Sequence, residues 1–160
     1  MNTAIIYMSK YGTTEKIAKI IQSKLVKDQT KIFNLKKTKS IELENYHTII
    51  IGGSIHVGSI PKKLKQFIAN NMTILLKKRI ALFMICMQKG EKRDEQFTNA
   101  FPIELRKVSI ANGFMGGEFC FDRMNFLERI IVKKIAGTSS NVSEIDYEAI
   151  DIFINKLKNQ

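Results

Sequence analysis

Four uninterrupted apolar segments constrain the fold of this chain more than any other feature of its sequence. They are Thr3–Met8, Thr48–Gly52, Arg79–Met87 and Val108–Phe114. Alternating apolar and polar residues would indicate strands with one solvated face, whereas continuous apolar runs indicate parallel strands buried on both faces. The fifth predicted strand is a shorter and more polar segment, Lys31–Leu35. The sequence therefore predicts a parallel sheet of five strands.

Helical patterns separate these segments. One amphipathic pattern follows the first strand, a second helix is expected to begin at Pro61, and a third covers Tyr147–Leu157 with Asp146 as its cap. A further stretch, Glu95–Leu105, is expected to be helical in pieces because Pro102 interrupts it. Strands that alternate with helices predict a doubly wound α/β domain with helices on both faces, and we expect one domain over residues 1–160.

The segment Gly116–Gly137 exceeds what such a domain needs. Within it, Met124–Ile135 has the pattern of a strongly amphipathic helix, with Arg129, Lys133 and Lys134 at polar positions. Two interpretations remain open at this point. Its apolar face either packs on the rest of the domain, or it meets a substrate or a membrane surface.

The turn that follows the first strand is rich in hydroxyl groups. Ser9 and Thr14 flank Gly12, which lets the backbone approach an anion closely, and a helical pattern starts directly afterwards. No lysine follows the glycine, so the turn is not a nucleoside-triphosphate loop, and its spacing is not that of a dinucleotide fingerprint. The turn is predicted to bind a phosphate group; the alternative is a helix cap without a ligand.

Two more loops are expected to meet this turn, because the carboxyl ends of parallel strands share one edge of the sheet. The loop Gly53–Ile60 is bracketed by glycines and contains His56, which is either an exposed loop histidine or a contact for a flat heterocycle. The third loop is Gln88–Arg93. The other histidine, His47, precedes a strand and is expected to be structural.

On these residues the chain resembles a known family. The hydroxyl turn, the glycine loop and the element order are similar over the whole chain to a flavodoxin-type FMN-binding domain. The segments Tyr7–Ala18, Gly52–Ile55, Phe114–Gly117 and Phe126–Gly137 resemble, more closely, the menaquinone-dependent protoporphyrinogen oxidase family. The resemblance implies a flavodoxin-like five-stranded sheet of order 2-1-3-4-5. It also implies an FMN-dependent oxidoreductase that dehydrogenates a porphyrinogen and transfers the electrons to a quinone.

The resemblance assigns cofactor-binding positions but no catalytic residue and no metal ligand. The FMN phosphate would be held by Ser9, Lys10, Tyr11, Gly12, Thr13 and Thr14. The isoalloxazine would be flanked by Ser54, Ile55, His56, Val57 and Gly58, and the site would be completed by Met87, Gln88, Lys89 and Gly90. Flavodoxins usually stack aromatic rings on the flavin from the second and third of these loops, where this chain has none.

Charge and composition bear on the partner. The net charge of +11 arises from dispersed lysines, and no nucleic-acid motif accompanies them. The basic surface is either simply solvated, or it attracts the carboxylates of a substrate or an anionic membrane that holds quinone. The alternative functions are an electron-transfer protein that docks on a redox partner protein, and a flavin-free interaction domain. We expect a cytoplasmic protein, with peripheral contact at the inner membrane face as an open alternative. Cys86 and Cys120 receive no chemical role.

Overall fold

Five parallel strands form the main sheet of the structure, a computed structural model that describes residues 2–26, 29–56, 58–137 and 139–159. The strands are β1 (Asn2–Met8), β2 (Gln29–Asn34), β3 (Thr48–Ser54), β4 (Arg79–Ile85) and β5 (Ser109–Phe114). Their order is β2-β1-β3-β4-β5, and each neighbouring pair is parallel. The predicted fold class and the strand order 2-1-3-4-5 are confirmed.

The central strands are apolar throughout because both faces of the sheet are covered. In β3, Ile49 and Ile51 belong to one buried cluster, whereas Ile50 belongs to the cluster on the opposite face. All three side chains are fully buried. Burying a side chain of this size stabilises the fold by roughly 1.5–3 kcal/mol. A polar residue at any of these positions would therefore forfeit a large fraction of the stability.

Seven α-helices accompany the strands in the part of the chain that the structure describes. They are α1 (Thr13–Lys24), α2 (Lys62–Asn70), α3 (Met72–Leu75), α4 (Gly90–Ala100), α5 (Ile103–Val108), α6 (Phe126–Ala136) and α7 (Tyr147–Lys158). Ile17 of α1 and Ile150 of α7 are buried in the cluster on one face of the sheet. Leu64 of α2 and Leu105 of α5 are buried in the cluster on the other face. The sheet is therefore wound on both faces, as predicted.

Some element boundaries differ from the prediction. β4 ends at Ile85 rather than Met87, since the Cys86 amide donates to the Gly116 oxygen (2.9 Å) instead of continuing the ladder with β5. Pro61 is the residue before the first turn of α2, so that helix begins at Lys62. Asp146 caps α7 as predicted, and its side chain accepts from the Ala149 amide at 2.8 Å.

The segment between β5 and α7 forms a structure of its own, which we call the insertion (residues 116–145). Strands β6 (Gly116–Phe119) and β7 (Val142–Ile145) pair antiparallel, and α6 lies between them in the sequence. The predicted helix is present but begins at Phe126 rather than Met124, because Asn125 and Glu128 form a capping box there. The two-stranded sheet was missed by the sequence analysis. A Cβ atom on Gly116, whose φ is +66°, would lie 1.8 Å from the backbone carbonyl oxygen of Glu144, so this turn requires glycine.

Candidate functional site

The loops that follow β1, β3 and β4 converge with the insertion around a cavity of about 340 Å³. This volume lies within the usual range of small-molecule sites. The lining residues are Tyr11, Thr13, Ser54, Ile55, His56, Gly58, Ile85, Cys86, Met87, Gln88, Gln96, Gly117, Glu118, Phe119, Met124, Glu128, Ile131 and Val132. The three loops expected to meet therefore do so, and the insertion supplies the remaining wall.

The turn after β1 presents the start of α1 without a side-chain cap. Ser9 Oγ accepts from the Gly12 amide at 3.0 Å, which folds the turn on itself. Gly12 has a φ of 104°, and α1 begins at the next residue with no side-chain hydrogen bond to its first amides. The first amides of a helix lack partners within the helix, and the helix dipole is positive there. The turn is therefore suited to an anion, and phosphate binding at these residues stays a prediction.

The hydroxyl groups of this turn point in different directions. Tyr11 and Thr13 line the cavity, whereas Ser9, Lys10, Gly12 and Thr14 lie beside it. Thr14 is fully buried, and its hydroxyl exchanges a hydrogen bond with that of Ser54 at the end of β3. Thr14 therefore joins the first loop to the second. Because its hydroxyl is already hydrogen-bonded, Thr14 can offer a ligand only its backbone amide.

The loop after β3 places His56 on the cavity wall. Its ring is half-buried and stands edge-on to that of Tyr11, with 5.7 Å between ring centroids. Burial lowers the pKa of His56, and nearby Lys10 lowers it further, so the imidazole is neutral at neutral pH. Ser54, Ile55 and Gly58 also line the cavity. The predicted position Val57 lies outside the described residues.

The loop after β4 contributes two of its four predicted residues. Met87 and Gln88 line the cavity, whereas Gly90 begins α4 and Lys89 forms an ion pair with Glu144 of β7 (3.1 Å). Cys86 also lines the cavity, and burial raises the pKa of its thiol, which keeps it protonated and unreactive.

None of the predicted site residues belongs to the insertion, whose residues on the cavity wall are Gly117, Glu118, Phe119, Met124, Glu128, Ile131 and Val132. Phe119 places an aromatic ring on the wall, which the second and third loops lack. A Cβ atom on Gly117 would lie 2.9 Å from the Met87 sulfur, so β6 packs closely against the loop after β4. The glycine pair Gly116–Gly117 directly after β5 was the one local feature that could have indicated this approach.

Glu118 carries a carboxylate from β6 to the start of α1. It accepts hydrogen bonds from Thr13 Oγ1 at 3.0 Å, from Ser143 Oγ at 2.9 Å and from Lys16 Nζ at 3.1 Å. Burial by itself raises the pKa of Glu118, but the hydrogen bonds from Lys16, Ser143 and Thr13 together hold it below its ordinary value. The carboxylate is therefore ionised beside the predicted phosphate turn.

Two further polar contacts tie the insertion to the same turn. Glu128 forms an ion pair with Lys10, and the Arg123 guanidinium donates to the backbone carbonyl oxygen of Tyr11 at 2.6 Å. Hydrogen bonds from the Lys10 and Tyr11 side chains, together with the Asn125 amide, lower the pKa of Glu128 to about 2. The insertion is thus attached to the turn after β1 mainly through charged groups.

The outer face of α6 is apolar and exposed. Phe126 is 76% exposed, Leu127 is 69% exposed and Ile130 is also exposed, whereas Ile131 and Val132 line the cavity. Phe126, Leu127 and Ile130 therefore do not pack on the rest of the domain, and it is the side of α6 that carries Ile131 and Val132 that faces it. Basic residues of the same helix lie exposed beside it. Within the described ranges, no helix combines the length and the apolar character needed to cross a bilayer.

Comparisons with known proteins agree with this geometry. The family described as "Flavodoxin domain" matches residues 4–145, which include every predicted cofactor position. A protein of Escherichia coli strain K12 named protoporphyrinogen IX dehydrogenase [quinone] is 24% identical over 161 residues, with 94% of this chain and 87% of that protein covered.

Solved structures share the fold over the whole chain. Oxidised flavodoxin 1 from Bacillus cereus has a TM-score of 0.59 at 17% identity, with 100% of this chain and 99% of that chain covered. The WrbA-like flavodoxin from Agrobacterium tumefaciens has a TM-score of 0.53 at 14% identity, with 99% and 98% covered. At these identities the likeness concerns the fold alone.

Proposed function

Because this chain belongs to the flavodoxin domain family, we propose that it binds FMN and acts as an FMN-dependent oxidoreductase that dehydrogenates a porphyrinogen and transfers the electrons to a quinone. The observation that carries the proposal is the cavity of about 340 Å³ beside the uncapped start of α1. It offers an apolar space for a flat ring and an anion site for a phosphate in one place.

The residues present suit FMN. The phosphate would lie at the first amides of α1, near Thr13 and Lys16, and the isoalloxazine would lie between the loop containing His56 and the loop containing Met87. Phe119 and Tyr11 provide the aromatic surface that the second and third loops do not. FMN would supply the two-electron chemistry, while these side chains would orient the ring and exclude water from it.

The porphyrinogen and the quinone are proposed from the relative in Escherichia coli, whose name specifies both. The charge of this chain agrees with such a substrate, since a net charge of +11 attracts the carboxylates of a porphyrinogen. Flavodoxins that shuttle electrons are generally acidic, so the basic surface disfavours a function as an electron carrier without a substrate.

The test has two stages. The purified protein, titrated with FMN, is expected to quench flavin fluorescence and to give a bound-flavin absorption spectrum. The loaded protein is then expected to oxidise protoporphyrinogen when a menaquinone analogue is supplied. A protein that binds FMN but fails in the second stage would retain the flavoprotein assignment and lose the substrate, which would favour the electron carrier. A protein that binds no FMN would overturn the whole proposal.

The exposed face of α6 supports a peripheral contact with the inner face of the membrane, which we include in the proposal. Phe126 and Leu127 are among the most exposed apolar side chains of the chain, and Lys133 and Lys134 lie exposed on the same helix. Amphipathic helices of this kind bind anionic bilayers through apolar burial and electrostatic attraction together. Such a contact would bring the cavity close to a membrane-dissolved quinone.

Vesicle sedimentation tests this contact. The protein is expected to sediment with vesicles that contain phosphatidylglycerol, and less with vesicles of phosphatidylcholine alone. Replacing both Phe126 and Leu127 by Ser should reduce the bound fraction at least fivefold, because their burial drives insertion. Ile152→Ser is the matched control, since Ile152 is also exposed but lies on α7. Equal binding of the two variants would contradict a contact through α6.

A further inference from the structure

The Glu118 carboxylate binds two side-chain donors beside the uncapped amides at the start of α1. Its two oxygens accept from Thr13 Oγ1 (3.0 Å), Lys16 Nζ (3.1 Å) and Ser143 Oγ (2.9 Å). Thr13 is the first residue of α1, and its amide is one of the amides without a side-chain cap. The insertion therefore places a negative group where the fold provides positive charge and hydrogen-bond donors.

A phosphate at the start of α1 needs the same donors. An anion that accepts from the first amides of a helix lies within reach of a hydroxyl on the first residue and of a lysine one turn later. A phosphate monoester carries a charge of about −1.5 to −2 at neutral pH. A carboxylate in contact with the same hydroxyl and ammonium repels it and removes two of its donors.

We propose that Glu118 competes with the FMN phosphate for Thr13 and Lys16, so that loading of the cofactor requires this carboxylate to leave the turn. The inference rests on the proposed binding of FMN. Glu118 is the residue through which the insertion sets the affinity of the site for a phosphorylated flavin relative to an unphosphorylated one. In the proposed pose the phosphate, and not the isoalloxazine, lies at Thr13 and Lys16, so the competition concerns the phosphate.

The contacts of Glu118 indicate what moves. Ser143 in β7 is the register partner of Glu118 in β6, so the carboxylate is held from its own two-stranded sheet as well as from α1. When the carboxylate leaves Thr13 and Lys16, it keeps the Ser143 hydroxyl as a donor. The displaced charge is therefore not left without a partner, and the fold of the main sheet is not involved.

The experiment compares FMN with riboflavin, which has the same ring and no phosphate. Dissociation constants of both flavins are measured by fluorescence titration for the wild-type protein and for Glu118→Gln. The variant keeps the shape of the side chain and removes its charge. We expect Glu118→Gln to bind FMN roughly tenfold more tightly, since a partly exposed charge pair of this kind is attenuated by solvent. Riboflavin affinity should change less than twofold.

Glu144→Gln is the matched control. Glu144 lies in β7 beside Ser143 and carries the same charge, but it pairs with Lys89 rather than with the turn after β1. It should leave the ratio of FMN to riboflavin affinity unchanged. Unfolding midpoints of the three proteins verify that both variants are folded.

The outcomes separate this inference from the proposed function. If Glu118→Gln leaves FMN affinity unchanged, weakens it, or tightens both flavins equally, the competition is wrong while the protein remains a flavoprotein. If the wild-type protein and both variants bind neither flavin, the proposed function fails and the competition fails with it. Only selective tightening toward FMN in Glu118→Gln, absent from Glu144→Gln, supports the inference.

Discussion

At the scale of single residues, Gly52 shows how a missing side chain determines the packing between two strands. Gly52 of β3 is the register partner of Phe83 of β4, and a Cβ atom built on it would lie 1.9 Å from the Phe83 ring. Phe83 is fully buried, so its ring has no room to retreat. The glycine is therefore required by the close approach of the ring rather than by backbone conformation.

Gly52→Ala should lower the free energy of unfolding by about 2–3 kcal/mol, as overpacking of a tight core does. Urea unfolding measures it. In a Phe83→Leu background the same substitution should cost at least about 1 kcal/mol less, because contacting residues are not additive. Equal costs in the two backgrounds would show that the ring is not the obstacle.

At the scale of elements, both α7 and α6 begin with a side-chain cap, but only α7 is buried against the main sheet. Asp146 caps α7, whose Ile150, Phe153 and Ile154 are buried against the main sheet. Asn125 and Glu128 cap α6, whose apolar side chains are largely exposed. Removal of the cap of α7 is therefore expected to lower the stability of the whole domain. Removal of the cap of α6 should destabilise the insertion alone.

Asp146→Ala should lower the free energy of unfolding by about 1 kcal/mol, because the Ala149 amide loses its acceptor. Asp146→Asn keeps an acceptor oxygen and should stay close to the wild-type value. Urea unfolding of the three proteins is the measurement. Asp146→Asn and Asp146→Ala unfolding at the same midpoint would contradict a capping function.

The attachment of α6 should depend on pH. The pKa of Glu128 is about 2 in the folded chain, against an ordinary glutamate value of about 4.3. A lowered pKa means that the ionised form stabilises the fold, so this contribution is complete above about pH 5 and is lost as the pH falls toward 2. Hydrogen-exchange protection of α6 amides, corrected for intrinsic rates, should decline over this window.

Glu128→Gln lacks the ionisable group and is the control for this dependence. Its α6 amides should show lower protection at pH 6 and a flatter profile down to pH 2 than the wild-type protein. The same steep profile in the variant would assign the loss of protection to another carboxylate. Glu118, whose pKa is also lowered, would be the first candidate.

At the scale of the whole molecule, local sequence patterns predict the main sheet and helix α6, but not the two-stranded sheet of the insertion. Continuous apolar runs predict β1, β3 and β4 because both faces of these strands are buried. The strands β6 and β7 have four residues each and half-exposed side chains, so they carry no such pattern. The phosphate turn could be recognised locally, but the contact of Glu118 with Thr13 joins residues 105 positions apart. Nothing in either segment alone specifies that pairing.

The main sheet should fold without the insertion. β6 and β7 pair with each other and are not part of the five-stranded sheet. Replacing residues 117–144 by Asn-Gly, which favours a two-residue turn, should leave cooperative urea unfolding and a circular dichroism spectrum of mixed α/β type. FMN should still bind, but more weakly than to Glu118→Gln, which also lacks the carboxylate but keeps the cavity wall that the insertion supplies. A variant without cooperative unfolding would show that the insertion is part of the folding unit.

The pairing of Gly116 with Ile145 also has an evolutionary consequence. The chain leaves the main sheet after β5 and enters α7 from a neighbouring position, so a segment of any length can be gained, lost or replaced there without moving β5 or α7. Insertions are best tolerated where both ends already meet at the surface. Members of one family could thus acquire different surfaces above a common flavin scaffold by changing this single segment.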